Sequence, residues 1–220
     1  MTKRAFVIAV LGAESSGKTQ LALALAHRLR GAGLDAHTVA EHLREFCELH
    51  RRTPHQHEQP AIAAEQTRRI AQAAAQHSVV VADTTALMTA VYSEIVFDDR
   101  SQYASIEAAQ RRADLTLLMA LDLPWRADGL QRDGAHVREP VDALVRAALG
   151  RIGQPYVVVA GQGEARVRSA WRAVRRALAL PASLDAGDDD AAIAAWHTRC
   201  ERCGDPDCER HRLPRPLAAD

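Results

Sequence analysis

The 220-residue sequence has no net charge, no membrane-length apolar run and no repeated or low-complexity tract. Its 28 basic side chains are matched by 28 acidic ones, so no overall field favours a nucleic-acid or membrane surface as a partner. No apolar stretch approaches the roughly 20 residues of a membrane-spanning helix. The length suits one well-buried core domain with a small appendage.

Cysteine is scarce as well, and three of the four cysteines fall near the C-terminus. Cys200, Cys203, Cys208 and His211 follow the spacing C-x₂-C-x₄-C-x₂-H, which suits a tetrahedral structural Zn²⁺. His197 is an alternative fourth ligand. Because cytosolic thiols stay reduced, a zinc knuckle is favoured over a disulfide, with redox or transient metal chemistry as the other use of these thiols.

Near the N-terminus, residues 12–19 fit the phosphate-binding pattern G-x-x-x-x-G-K-[ST]. Lys18 is expected to reach the β- and γ-phosphates, and the Thr19 hydroxyl to ligate Mg²⁺. An apolar run precedes the loop and a leucine-rich helical pattern follows it, so the loop lies at a helix N-terminus, which favours anions. The predicted nucleotide-binding residues are Gly12, Ala13, Glu14, Ser15, Ser16, Gly17, Lys18 and Thr19. The pattern predicts binding of ATP and Mg²⁺, and use of ATP favours a cytoplasmic location.

Two later strands also end in ionisable side chains. The strand predicted over 35–40 opens onto Glu41 and Arg44, and a run of β-branched residues leads to Asp83. Because open α/β sheets bind ligands at the carboxyl ends of their strands, these side chains are site candidates. Asp83 has the position of the acid that holds Mg²⁺ in P-loop proteins. The alternatives are a solvated helix start at Glu41 and a helix-capping role for Asp83.

A charged segment, residues 124–139, follows the fourth predicted strand and contains two Asp-Gly pairs. Its arginines are candidates for a lid that closes over the γ-phosphate, neutralises charge and excludes water. They are Arg126, Arg132 and Arg138, and the alternative for each is an ordinary surface arginine. The basic helix predicted over 164–180 is expected to present its arginines as a solvated face.

Five apolar strands alternate with helical patterns, which predicts a parallel sheet covered by helices on both faces. The predicted main domain covers residues 1–180. A linker with a short helix follows at 181–199, and the metal knuckle and tail occupy 200–220.

Four blocks, in this order and at these separations, resemble the ribosylnicotinamide kinase domain of NadR-like proteins, which are P-loop nucleoside kinases with AAA-type ATP binding. The blocks are residues 12–19, E-x-x-R-E-F at 41–46, V-A-D-T-T at 81–85 and P-W-x-A-D-G-L at 124–130. The resemblance covers residues 4–180. It implies a three-layer α/β sandwich whose five-stranded parallel sheet has the order 2-3-1-4-5.

The same resemblance implies phosphorylation of the 5′-hydroxyl of nicotinamide riboside by ATP and Mg²⁺, giving nicotinamide mononucleotide for NAD salvage. It assigns Lys18 and Thr19 to ATP and magnesium, and Asp83 to the magnesium site. Glu41 is implied as the catalytic base that accepts the proton of the sugar hydroxyl, with Asp83 as the rival base. Arg44 and Asp128 are implied as groups that bind the acceptor or position the lid.

Four positions depart from the family pattern. Ala40 replaces an aromatic residue suited to stacking on a flat cationic ring. His42 and Leu43 stand where a tyrosine and a glycine are expected, and Gln131 replaces an arginine. These departures concern the identity of the acceptor more than the type of reaction.

A second hypothesis is an ATP-binding regulatory protein, in which the phosphate loop acts as a switch and the knuckle docks a protein or nucleic acid. Glu41 and the Asp128 block favour the kinase, because a switch needs no acceptor pocket. The expected partner is therefore a small nucleoside, with no membrane or nucleic acid, and a homo-oligomer is compatible with the sequence.

Overall fold

Strands and helices alternate along residues 4–125 and 135–185, which are the parts of the chain that the computed structural model describes. The main elements are β1 Phe6–Leu11, α1 Lys18–Gly31, β2 Ala36–Val39, α2 His42–His50, α3 Gln59–Gln76, β3 Val79–Asp83, α4 Ala86–Phe97, α5 Tyr103–Gln110, β4 Leu115–Met119, α6 Arg138–Arg151, β5 Val157–Val159 and α7 Gly163–Ala177. Short 3₁₀ helices lie at Gln56–Glu58, Ala135–Val137 and Ala182–Asp185. Outside the described residues lie Arg126, Asp128, Gln131, Arg132 and the whole predicted zinc site, including His197.

The strands form one parallel sheet in the order β2-β3-β1-β4-β5, which confirms the predicted fold. The central strand β1 lies between β3 and β4, with Val10 opposite Asp83 on one side and opposite Leu117 on the other. Because all strands run the same way, their carboxyl ends meet at one edge of the sheet. The loop after β1 and the acid that ends β3 are therefore neighbours.

Helices cover both faces of the sheet, as the continuous apolar strands require. Alternate residues of β1 point to opposite faces, so Ile8 packs with α1 and α7, whereas Ala9 packs with α4, α5 and α6. On the first face Leu25 and Trp171 are buried in the same cluster. This packing fixes the three-layer sandwich and places α7 beside α1, behind the phosphate-binding loop.

Helix α6 begins at Arg138, so its first residues fall within the charged segment 124–139. Pro140 does not prevent this, because the first N–H groups of a helix have no intrahelical partner and proline is tolerated in the first turn. Arg138 therefore belongs to a helix and not to a loop.

Candidate active site

The loop between β1 and α1 turns sharply, and glycine is required where it does so. Gly12 and Gly17 have φ angles of 148° and 79°, which side chains disfavour. A Cβ on Gly12 would also lie 2.9 Å from the Cβ of Met119. The Ser16 Oγ donates to the Ala13 carbonyl at 2.7 Å and closes the turn. The local sequence thus produces a compact loop that leads directly into the N-terminus of α1.

Lys18 and Thr19 occupy the first turn of α1, facing the loop. The Lys18 Nζ donates to the Ala13 carbonyl at 2.9 Å, so the ammonium group is held against the loop backbone. The Thr19 Oγ1 donates to the Asp83 Oδ2 at 2.6 Å. The structure therefore brings together the lysine, the hydroxyl and the acid that the sequence predicted as one site.

Asp83 is buried, with only 3% of its surface exposed. Its Oδ1 has no hydrogen-bond partner among the described residues. Burial raises the pKa of Asp83 and nearby Glu41 raises it further, while the Thr19 hydrogen bond and the Lys18 charge oppose the shift. Mg²⁺ in proteins is held by one or two carboxylates, a few other oxygens and several waters, so a buried carboxylate oxygen beside a hydroxyl fits this cation.

The helix-capping alternative for Asp83 is wrong. The N-cap of α4 is Thr85, whose Oγ1 accepts a hydrogen bond from the Leu87 N–H at 3.3 Å. Asp83 lies two residues earlier, at the end of β3, and its carboxylate bonds to Thr19.

Glu41 and Arg44 project from the start of α2 at the same edge of the sheet. The side chain of Glu41, the N-cap residue, makes no capping hydrogen bond. The Arg44 Nε lies 3.9 Å from the Glu41 Oε2, and these side chains are only 17% and 12% exposed. The alternative of a solvated helix start is therefore wrong, and Glu41 lies close enough to Asp83 to affect its pKa.

Gln66 of α3 is a site residue that the sequence prediction missed. It is 2% exposed, and its Oε1 accepts from the His42 N–H at 2.8 Å. Its Nε2 donates to the Thr84 carbonyl at 3.3 Å. Gln66 thus links the residue after Glu41 to the residue after Asp83, and holds the two acids near each other. A glutamine in an alanine-rich helix gives no sequence signal for such a role.

A narrow cleft of about 40 Å³ separates the loop from α2 and α4. It is lined by Glu14, Lys18, Glu41, Leu43, Arg44, Met88 and Tyr92. Tyr92 and Met88 come from α4 and were not predicted. A shallower depression against the loop is lined by Ser15, Ser16, Gly17, Lys18, Thr19, Gln20 and Arg44. Arg44 belongs to both, so it lies between the phosphate loop and the cleft.

A larger, mostly apolar cavity of about 420 Å³ lies elsewhere, between α3 and α5. Ile70 and Ile106 form parts of its wall, and it contains none of the predicted site residues. Its size does not make it the active site, because the groups able to bind phosphate and metal are at the carboxyl edge of the sheet.

Arg138 is buried, with 7% of its surface exposed, so the surface-arginine alternative is wrong for this residue. Its Nη1 donates to the Leu123 carbonyl at 2.8 Å, while its Nε and Nη2 have no partner within the described parts of the chain. Leu123 lies beside the loop, since its Cδ1 would be 3.4 Å from a Cβ on Gly17. A buried guanidinium with unused donors next to this loop suits an anion.

Arg166 of α7 is 4% exposed, so the expected solvated face is wrong at this position. Its Nη1 donates to the Ser16 carbonyl at 2.7 Å and its Nε to the Gly161 carbonyl at 2.7 Å. Its Nη2 pairs with the Asp122 carboxylate. Burial lowers the pKa of Arg166, and the charge of Arg138 lowers it further while Asp122 opposes the shift.

Helical spacing is the signal that would have revealed Arg166. It lies four and eight residues before Ala170 and Val174, on the buried stripe of α7. The other arginines of α7 are exposed or half-buried, so the basic composition of the helix suggests a solvated face and hides this spacing.

Fold and site together define a P-loop α/β domain of nucleotide-binding type. The chain belongs to the AAA domain family, whose model matches residues 7–166, more than half of its length. No curated protein matches the chain.

Two crystal structures of NadR protein share the fold. The complex with NAD and AMP-PNP has a TM-score of 0.63, and the complex with NR has a TM-score of 0.65. Each is 19% identical to this chain, over 80% of this chain and 50% of the NadR chain. The protein therefore spans about half the length of the NadR structures that it matches.

Across residues 4–125 and 135–185, no helix is both long and apolar enough to cross a membrane. Nor do three His, Cys, Asp or Glu side chains cluster as metal ligands in this part of the chain. The candidate Mg²⁺ site consists of Asp83 and Thr19, and the remaining ligands would be water and phosphate oxygens.

Proposed function

We propose that the protein is an ATP-dependent nucleoside kinase, and that nicotinamide riboside, converted to nicotinamide mononucleotide in NAD salvage, is its acceptor. One observation carries the proposal. The phosphate loop, the Thr19–Asp83 pair and the Glu41–Arg44 pair meet at one edge of the sheet, with a cleft between them. A switch protein needs only the loop and the magnesium-binding residues, whereas phosphoryl transfer to a nucleoside also needs an acidic acceptor site opposite them.

On the nucleotide side, Lys18 and the loop N–H groups bind the β- and γ-phosphates. Thr19 and Asp83 hold Mg²⁺, which neutralises charge on the phosphates when bound. The Nε and Nη2 donors of Arg138, which have no partner among the described residues, would bind the same anion beside Leu123.

On the acceptor side, Glu41 accepts the proton of the 5′-hydroxyl. Asp83 is the rival base, but its Oδ2 is already bonded to Thr19 and it ends the strand beside the loop, which suits it to the metal. Glu41 faces the cleft, where Arg44 holds its carboxylate and can stabilise charge on the transferred group.

The cleft walls suit a flat ring next to a sugar. Tyr92, Met88 and Leu43 provide aromatic and apolar surface within the same cleft as Glu41. Tyr92 of α4 supplies the aromatic group that Ala40, the residue after β2, does not supply. The cleft is smaller than the roughly 300 Å³ of the smallest usual ligand pockets, so nucleoside binding must widen it.

The NadR complexes with NR and with AMP-PNP support this acceptor and this donor by similarity of fold. The proposal is tested by incubating the purified chain with Mg²⁺, ATP and a panel of nucleosides that includes nicotinamide riboside. Mass spectrometry should detect a nucleoside monophosphate, formed fastest from nicotinamide riboside. Nucleotide binding without phosphorylation of any nucleoside would instead favour the regulatory protein.

A further inference from the structure

Arg166 of the basic helix α7 contacts the backbone of the phosphate loop. Arg166 lies on the face of the sheet shared by α1 and α7, and donates to three backbone carbonyls at 2.7, 2.7 and 3.4 Å. These carbonyls belong to Gly161, Ser16 and Ala120, which follow β5, β1 and β4. The Asp122 carboxylate pairs with the Arg166 Nη2, and it also accepts a hydrogen bond from the Gly161 N–H at 2.6 Å.

The hydrogen bond from Arg166 to the Ser16 carbonyl also sets the direction of the Gly17 N–H. The described backbone contains no cis peptide bond, and in a trans peptide the C=O and N–H groups point in opposite directions. Because Arg166 draws the Ser16 oxygen toward α7, the Gly17 N–H of the same peptide unit points away from α7. We expect the anion on that side of the loop, because loop N–H groups at a helix N-terminus bind phosphate.

This peptide needs an external restraint more than its neighbours do. Gly17 has φ 79°, and glycine adopts positive and negative φ about equally readily, so the unit before it can flip at little cost. A flipped Ser16–Gly17 peptide would present a carbonyl oxygen to the phosphate. A charge-assisted hydrogen bond in a buried setting is strong enough to prevent this.

We propose that Arg166 is a positioning residue that sets the Ser16–Gly17 peptide with its N–H toward the nucleotide phosphates. Arg166 is held by Asp122, and its other hydrogen bonds in the described part of the chain are to backbone carbonyls. The inference rests on the nucleotide-binding part of the proposed function, and it does not depend on which acceptor is phosphorylated.

The test compares Arg166→Met with Arg172→Met, which removes an exposed arginine from the same helix. In the wild type, AMP-PNP should move the Gly17 amide proton downfield in a ¹⁵N-edited NMR titration, as a hydrogen bond to phosphate does. Arg166→Met should weaken AMP-PNP binding by about 10-fold or more and reduce the Gly17 shift. Arg172→Met should leave both unchanged.

Two milder variants keep the test decisive if Arg166→Met does not fold. Arg166→Lys retains the charge but not the planar fork, so AMP-PNP should bind about 3- to 10-fold more weakly. Asp122→Asn retains the Ser16 contact and should have a smaller effect. Folded variants at position 166 with wild-type affinity and a wild-type Gly17 shift would overturn the proposal. A wild type that binds AMP-PNP but phosphorylates no nucleoside would contradict the proposed kinase function and leave this comparison intact.

Discussion

The two sides of the phosphate loop differ in how far their polar atoms are satisfied. On the α7 side, Arg166 is surrounded by three carbonyls and a carboxylate. On the α2 side, the buried Asp83 Oδ1 has no hydrogen-bond partner in the described part of the chain. A buried polar atom left unsatisfied costs about 1–3 kcal/mol, so one that lies beside a phosphate loop is a candidate to bind a metal or a ligand.

The α7 side therefore supports the loop, whereas the α2 side carries the groups that can bind ligands. A saturated network resists movement and holds the loop in one conformation, whereas unsatisfied groups are available to a metal, a phosphate or a substrate. We therefore expect substitutions on the α2 side to change turnover or acceptor binding, and substitutions on the α7 side to change nucleotide affinity.

The sharpest way to test the α2 side is Glu41→Gln. Loss of the base should lower kcat by about 10²-fold or more while the affinity for ATP is retained. Glu48→Gln, on the exposed part of the same helix, is the matched control, and both values come from steady-state kinetics and a nucleotide titration. An unchanged kcat would transfer the role of base to Asp83.

Gln66→Ala tests whether Gln66 holds Glu41 and Asp83 in position relative to each other. It leaves the His42 N–H and the Thr84 carbonyl without their partner, so the free energy of unfolding should fall by about 1–3 kcal/mol. Misplacement of Glu41 should lower kcat by about 10-fold. Gln76→Ala, at the exposed end of α3, should change neither urea denaturation nor kcat. Wild-type kcat in Gln66→Ala would remove this glutamine from the site.

Tyr92→Ala probes the acceptor wall with a smaller expected effect. Loss of the aromatic surface should raise KM for the nucleoside by about 3- to 10-fold and leave KM for ATP unchanged. Tyr92→Phe keeps the ring and should behave like the wild type. Equal effects on both KM values would show that Tyr92 shapes the whole site and does not contact the acceptor.

The proposed zinc knuckle occupies residues 200–220, which follow the P-loop domain in the sequence, so we expect its loss to leave kcat nearly unchanged. We expect about one zinc per chain by elemental analysis, and loss of that zinc in Cys203→Ser. Cys47→Ser, at the buried cysteine of α2, should retain the metal. Zinc-free protein with oxidised thiols would contradict the knuckle.

Local patterns were enough to predict the loop and most of the fold. Residues 12–19 carry their own glycine spacing, and β-branched runs such as that before Asp83 predict buried strands whatever lies around them. The strand order came from the family resemblance and is confirmed by the sheet. The helix-capping alternative for Asp83 fell because Thr85 makes that hydrogen bond.

The supporting residues could not be predicted, because their roles arise from contacts distant in sequence. Arg166 reaches the Ser16 carbonyl 150 positions away, and Gln66 joins segments 24 and 18 residues from it. Helical spacing places Arg166 on the buried stripe of α7 but does not reveal its partner, and nothing in the sequence near Gln66 marks that residue. Tyr92 borders the cleft because α3 packs against both α2 and α4 and brings them to the same site.

The most direct measurement of the central claim is ADP release with nicotinamide riboside and with its 5′-deoxy analogue, in the wild type and in Lys18→Ala. The structure predicts release only when the wild-type lysine and the 5′-hydroxyl are both present, because the loop binds the donor and Glu41 faces the acceptor. Equal ADP release with the two acceptors, or full activity in Lys18→Ala, would contradict transfer between these groups.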